Sequence, residues 1–504
     1  MSSRELVIGI DIGTSQAKGG VFDPQGRCLG KASFSYAIHS PHPSWDEVDA
    51  EDWWQAVCHI IHQSLATARV SGRDIAAISV SSLLPCCLPV DHQGNPLRRA
   101  IIWRDRRTDQ ECAWMEQHIG SDACFEISGN RIDHYFWGPK VLWIKHQEPK
   151  IFKRTWKLLQ AHSYMVLKFC GETVTDFTCG NLSIPFYDYR RKCWAPAMSE
   201  KMGVPIEMLP DLRPSHMVVG RVSTNVTGET GLDRGTLVVT GCGDFASSTL
   251  GAGVYRQGEA CVMLGTAGNL LIPMDKPNFD PRLINSSHAL PNRYISFATS
   301  YAGGSLQWLR QVLAGSRNQF DISYQQLDLE ASHIPLGAEG LLFLPFLPGE
   351  LTINWDRLSR GVFFGLTLNH IRGHLYRAVL ESIGYRYRHM LEIVASHGVT
   401  VTEATLINGG GRSPVWRQIL ADITGMRLRY TESEGAPLGN AVLAAMGAKL
   451  IKSGEEVKNW LSIKSENEPD QRAYRLYNDY FQLYKRLYEH LKDDFQERYR
   501  FVGS

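Results

Sequence analysis

Residues 7–30 read VIGIDIGTSQAKGGVFDPQGRCLG, placing Asp11, Gly13, Thr14, Ser15 and Lys18 within one short stretch. A glycine-hydroxyl turn between two strands points backbone N–H groups into a concavity. Threonine and serine hydroxyls add donors and a lysine adds charge, a combination that suits phosphate oxygens. Asp11 would repel a phosphate directly, but it fits a Mg²⁺ held between the two, because Mg²⁺ keeps several waters and takes one or two carboxylates along with phosphates. The stretch is not a Walker A loop: it lacks the Gly-Lys-Ser/Thr ending, and strand-like residues follow where a helix would be required. A tight hairpin with a solvated aspartate accounts for the same residues.

Three further segments have similar chemistry. Residues 259–272, EACVMLGTAGNLLI, form a strand, a Gly265-Thr266 turn and a second strand, like the opening used twice. Residues 235–244, GTLVVTGCGD, run as an apolar strand into glycines and Asp244. A carboxylate at a strand end, framed by Gly241 and Gly243, can meet two substrates closely, and it can equally cap a helix over residues 245–250. In INGGGRSPVWRQILADITG, residues 407–425, Gly409, Gly410 and Gly411 end a strand before a helix that begins near Pro414. Three glycines let a chain approach a base or ribose, or simply turn.

These residues need a framework. With 504 residues the chain exceeds the roughly 250–300 at which one hydrophobic core stops growing, so two domains of similar size are expected. Composition is 43% hydrophobic and 21% charged with net charge +1, which gives no electrostatic reason for a nucleic-acid or anionic-membrane partner. The apolar run LLFLPFLP, residues 341–348, is far below the roughly 20 residues that span a bilayer. The N-terminus has no signal-peptide layout. None of the eleven cysteines forms a CxxC pair, and their scatter through apolar stretches fits reduced thiols and a cytoplasmic location. Strands are expected near residues 6–10, 19–22, 28–36 and 75–82. The turn Asp23-Pro-Gln-Gly26 separates the second strand from the third. A helix over residues 49–68 presents Trp53, Val57, Ile60, Ile61 and Leu65 on one face. Near the C-terminus Tyr477, Tyr480, Phe481, Tyr484, Leu487, Tyr488 and Leu491 recur at helical spacing, which reads as a core-facing stripe.

Taken together, these segments resemble the FGGY family of carbohydrate kinases, within the actin-like ATPase fold. Residues 361–381, GVFFGLTLNHIRGHLYRAVLE, fit the family's second signature throughout. Residues 135–147, YFWGPKVLWIKHQ, resemble the first signature through Tyr135, Lys140, Val141, Trp143, Ile144 and Gln147. Trp137 and His146 depart from it. The resemblance covers nearly the whole chain. It implies an α/β protein of two actin-like, ribonuclease H-like domains, each a mixed five-stranded sheet flanked by helices, with a deep cleft between them. The domains are expected at residues 1–243 and 244–504.

The resemblance also implies a reaction, transfer of the γ-phosphoryl of MgATP to a hydroxyl of a small ketose or polyol, with xylulose first. Asp244 matches the catalytic base. Gly13, Thr14 and Ser15, with Lys18, match the first phosphate turn, and Gly265 and Thr266 the second. Gly410, Gly411 and Asn440 match nucleotide positions, and Asp11 the Mg²⁺ ligand. On the sugar side stand Ser82, Leu83, Trp103, Asp105, Tyr135, Asp244 and Phe245. Residues 101–108, IIWRDRRT, resemble the family's Trp-Asn-Asp-x-Arg element, in which Arg107 either binds hydroxyls or forms a structural ion pair. In SVSSLLPCCLP, residues 79–89, the chain has neither the Met-His of xylulose kinases nor the Arg-Glu of glycerol kinases, so a pocket with fewer hydrogen bonds to one end of the sugar is expected. Residues 347–361 depart as well. Other pentuloses, polyols and aldonates are alternative acceptors, and a non-catalytic nucleotide switch is an alternative role. A homodimer is compatible with the family.

Overall fold

The computed structural model describes residues 4–314 and 322–502. Two mixed sheets carry the chain. The first holds β1 (Leu6–Ile12), β2 (Gln16–Phe22), β3 (Cys28–Ser35), β4 (Ile75–Ser82), β5 (Val218–Arg221), β6 (Leu237–Val239) and β7 (Cys242–Gly243). Its order is β5-β6-β4-β1-β2-β3, with β7 also pairing β4. The second holds β8 (Glu259–Leu264), β9 (Gly268–Met274), β10 (Ile284–Ser287), β11 (Tyr294–Ser300), β12 (Glu403–Ile407), β13 (Arg427–Thr431) and β14 (Ile463–Asn467), in the order β10-β11-β9-β8-β12-β13-β14.

Both sheets contain the same five-stranded core. In each, the first three strands form an antiparallel meander, and the fourth and fifth lie parallel to the first on its other side. The expected five-stranded sheets are these cores, widened at their edges to seven strands each. The expected duplication of the opening is visible in the register: Asp11 stands opposite Lys18 across the β1–β2 hairpin, and Leu264 opposite Gly268 across β8–β9.

The helices that matter for the site are α1 (Ala50–Ala68), α2 (Trp137–Gln147), α3 (Phe177–Asn181), α4 (Asp244–Gly251), α5 (Gly303–Ala314), α6 (Arg372–Ser396), α7 (Pro414–Thr424), α8 (Ala436–Gly447) and α9 (Gln471–Val502). Asp49 caps α1 by accepting from the Glu51 N–H at 3.1 Å, and the predicted face, Trp53 to Leu65, is buried. In α9, Tyr477, Phe481, Tyr484 and Leu487 are buried, while Tyr480, Tyr488 and Leu491 are half-buried.

The two halves are joined where α4 and α8 cross. A Cβ on Gly439 would lie 1.9 Å from the Ser247 carbonyl oxygen, and one on Gly251 would lie 2.0 Å from that of Gly435. Side chains are excluded there, and the helices touch through backbone. Helix α8 also lies against the first sheet: a Cβ on Gly9 would meet the Pro437 carbonyl oxygen at 2.0 Å. A helix from one half is thereby packed on the strand that leads to Asp11. Among the described residues no helix is long and apolar enough to cross a membrane.

Candidate active site

Strand β1 is apolar because it is covered on both faces. Asp11 is only 6% exposed. Its carboxylate accepts from Ser81 Oγ at 2.8 Å and lies 3.9 Å from Lys18 Nζ. Burial raises its pKa; Lys18 and the serine hydroxyl oppose that only in part. In the turn that follows, the Gly13 N–H donates to the Gln16 carbonyl at 3.0 Å, and the Tyr36 hydroxyl donates to the Gly13 carbonyl. Thr14 is half-exposed and Ser15 exposed. Trp103 Nε1 donates to Thr14 Oγ1 at 3.0 Å, and the Trp103 ring meets Tyr135 edge-on at 6.4 Å.

Asp244 opens α4 at the end of β7. Burial, and next the charge of Asp11, push its carboxyl up to about 8. Its charge also helps to raise the Tyr135 phenol, after burial. Asp11, Asp244, Tyr135, Trp103 and Thr14 thus form one electrostatically connected group. Two oxygen-only carboxylates that repel each other beside a half-exposed lysine suit a hard divalent cation. The Tyr135 segment is held from below by Lys140, fully buried at the start of α2, whose ammonium donates to the carbonyls of His134, Tyr135 and Phe136. Burial brings the Lys140 pKa down to about 8.

The second turn lies on the other sheet. The Gly265 N–H donates to the Ala267 carbonyl, and the first N–H groups of α5, from Gly303 and Gly304, donate to the carbonyls of Gly265 and Thr266 at 3.0 Å each. Gly410 joins this turn: a Cβ there would meet Leu264 Cβ at 2.7 Å and Trp416 at 2.6 Å. A Cβ on Gly411 would strike Leu406 and Tyr430, whereas one on Gly409 meets nothing within 4 Å. Gly409 is therefore the open face of the loop.

Residues 6–251 match the model of the FGGY family of carbohydrate kinases, N-terminal domain, and residues 260–448 match that of its C-terminal domain. The chain belongs to the FGGY family of carbohydrate kinases. It is similar to the xylulose kinase of Escherichia coli K12, at 32% identity over 96% of this chain and 99% of the relative. The gluconokinase of Bacillus subtilis strain 168 is 27% identical over 97% of each chain. Among solved structures, the xylulose kinase of Rhodospirillum rubrum superposes with a TM-score of 0.89 at 29% identity, covering 97% of this chain and all of that one. The protein is a sugar kinase of this family.

Several residues expected at the sugar or the nucleotide are held by contacts within this FGGY kinase. Asp105 is fully buried and spent on structure: both of its oxygens accept from Arg107, and it also accepts the N–H groups of Asp46 and Arg107. Arg107 lies between Trp45 and Trp143, with its guanidinium carbon 3.9 and 4.7 Å from their ring centroids. Of the two readings of Arg107, the structural ion pair is the one observed. Ser82 and Leu83 are fully buried. The serine hydroxyl accepts from the His162 backbone N–H at 3.1 Å, and the Leu83 N–H continues the sheet to the Ile12 carbonyl at 2.7 Å. Phe245 stacks on Phe297 at 4.9 Å, inside the junction of the halves. Asn440 is fully buried and donates to Ile10 and Ser81, so it frames Asp11.

Sequence reasoning gave no site role to Ser81, Lys140 or Tyr36. Lys140 had a signal, its place in the first signature. Ser81 lay within the departing run next to Ser82 and was distinguished from it only by which way it faces. Trp137, where the signature departs, is buried and meets Phe186 edge-on at 5.8 Å. Glu381, which ends the second signature, accepts from the Gly337 N–H, Arg377 and the Tyr477 hydroxyl, and so serves the packing of α6 on α9.

Proposed function

We propose that the protein phosphorylates a hydroxyl of a small ketose or polyol at the expense of ATP, with xylulose as first substrate and Asp244 as base. The observation that carries this reading is the placement of the Asp244 carboxyl at a strand end beside Tyr135, where burial and the Asp11 charge push it up to about 8. A carboxyl of that kind takes a proton from a sugar hydroxyl late in a loose transition state, where positioning and charge balance do most of the work. Trp103 and Tyr135 offer an aromatic wall to the carbon face of a sugar. The turns at residues 13–15 and 265–267 would receive the phosphates, Lys18 would add charge, and Gly409 to Gly411 would face the nucleoside. Asp11 is the residue that would hold Mg²⁺, which when bound neutralises phosphate charge. We assign the sugar side to the first sheet and the nucleoside side to the second. Closure of the halves would exclude water and limit idle ATP hydrolysis.

The test is ADP release by purified protein with MgATP and a panel of ketopentoses, polyols and aldonates. The gluconokinase likeness is the reason to include aldonates. One strong ketose or polyol hit supports the reading. Activity confined to aldonates moves the substrate class while keeping the kinase, and a silent panel with ATP still bound favours a nucleotide switch.

A further inference from the structure

Strand β7 pairs with β4 on one side, Cys242 opposite Ser81 and Gly243 opposite Ser82. The Gly243 N–H, one residue before Asp244, leaves that ladder and is accepted by Thr178 Oγ1 at 2.9 Å. Thr178 is fully buried at the start of α3. Its single hydroxyl proton goes to Asp176 Oδ1 at 2.8 Å, which leaves a lone pair for Gly243. Asp176, also fully buried, can only accept while ionised. It takes the N–H groups of Thr178 and Cys179, both at 3.1 Å, and the Ser215 hydroxyl at 2.8 Å. The direction of every hydrogen bond in this chain is therefore fixed from the carboxylate outward.

The block is anchored in both halves of the molecule. The Thr178 carbonyl accepts from Ser286 Oγ of β10 at 3.2 Å, and Ser287 donates through both its N–H and its hydroxyl to Asn181 Oδ1. On the opposite side of Gly243, space is closed: a Cβ there would lie 2.3 Å from Leu84 Cδ1 and 3.0 Å from the Phe245 ring. We propose that Thr178 is a positioning residue for phosphoryl transfer, its Asp176-oriented hydroxyl fixing the backbone from which the Asp244 carboxyl projects. This rests on the reading of Asp244 as the base. Thr178 touches no substrate in this scheme; it acts through Asp244 alone. Losing the acceptor strands a buried N–H and frees the segment to shift, and misplacement by about 1 Å is enough to cost on the order of 10²-fold in rate.

The experiment is a cycle of Thr178→Val and Asp244→Asn, alone and together, with Thr178→Ser as the conservative control. Expected is a fall in kcat of about ten- to a hundredfold for Thr178→Val, with the KM for ATP within about twofold and kcat recovered to within about threefold in Thr178→Ser. In the Asp244→Asn background, Thr178→Val should take nothing further from the residual turnover. Parental kcat in Thr178→Val, or an equal fold-loss in both backgrounds, overturns the proposal. Parental turnover in Asp244→Asn alone is a different failure: it removes the base assignment, and this inference with it. Should Thr178→Val not fold, Thr178→Ala is read by the same criteria.

Discussion

The side-chain amide of Asn440 donates to the Ile10 carbonyl across 2.7 Å, one residue before the buried carboxylate of Asp11. The same nitrogen lies 2.7 Å from Ser81 Oγ, whose proton goes to Asp11. A helix that follows the last core strand of one sheet thus completes the frame around the first carboxylate of the other. Replacing Asn440 with Leu removes the donor and leaves the Ile10 carbonyl and Ser81 without it, a change that costs about 1–3 kcal/mol. Expected are a melting temperature lower by several degrees and a reduced kcat. An unchanged melting curve would mean that the amide is dispensable to the junction.

Asp244→Asn should cut sugar phosphorylation to a small residual turnover while nucleotide binding, followed by fluorescence of a labelled ATP analogue, persists. It should also stabilise the fold at alkaline pH. The folded-state pKa is raised to about 8, whereas an unfolded Asp ionises near 4. Between about pH 4 and pH 8 the unfolded chain gives up this proton while the fold keeps it, so this group lowers stability as pH rises through that window. Asn removes the loss. The gain in melting temperature over the parent should be small at pH 5 and larger at pH 8.5. Equal shifts at both pH values would exclude a strained carboxyl at this position.

The pH profile should also respond to the cation. Asp244 must be ionised to act as base, so kcat/KM should rise with pH, with its acid limb above the ordinary carboxylate range. Part of that elevation comes from the Asp11 charge. A divalent cation at Asp11 offsets that charge, so raising Mg²⁺ should move the limb to lower pH. EDTA should stop turnover, and Asp11→Asn should both demand more Mg²⁺ and remove the shift. A limb fixed in position from limiting to saturating Mg²⁺ would place the cation away from this pair.

How much of this was legible follows from where the information lies along the chain. The glycine-hydroxyl turns are local, since a short chain reversal between apolar strands shows itself within ten residues, and both appear where expected. The five-strand cores follow from the same local signals used twice. Asn440 and Thr178 act at a distance of hundreds and tens of residues, through a helix crossing and an unpaired N–H that no local pattern announces. Ser81 and Ser82 show the limit of reading a strand end. Every residue of β4 is buried. The alternation by which Ser81 meets Asp11 and Ser82 meets the His162 N–H depends on which layer covers which face. Asp105 and Arg107 matched a family element in spacing, yet two tryptophans far apart in sequence decide what the pair does.

The glycine loop offers a contrast between neighbours. Gly409 has open space where a Cβ would go, while at Gly410 the Cβ would lie 2.7 Å from Leu264 Cβ and 2.6 Å from the Trp416 ring. Gly410→Ala should therefore lower the melting temperature and weaken ATP binding together, because the loop must pull away from the second turn. Gly409→Ala should fold as the parent does and raise only the KM for ATP, by about three- to tenfold, if the nucleoside passes over this face; a methyl there adds bulk at a cost of about 1 kcal/mol. A normal KM for ATP in Gly409→Ala would place the nucleoside elsewhere.

Arg107 tests the division between scaffold and sugar site. Its side chain and that of Asp105 have no exposed surface, and the two are joined at 2.6 Å. Lysine keeps the charge but loses the planar fork that bonds both Asp105 oxygens and stacks between the tryptophans. Arg107→Lys should melt several degrees below the parent. Arg107→Leu should fare worse, because an unpaired buried carboxylate costs about 3–5 kcal/mol. In whatever Arg107→Lys folds, the KM for the sugar should stay within about twofold, since the guanidinium is enclosed by Trp45 and Trp143. A tenfold rise in sugar KM at an unchanged melting temperature would return Arg107 and Asp105 to the substrate.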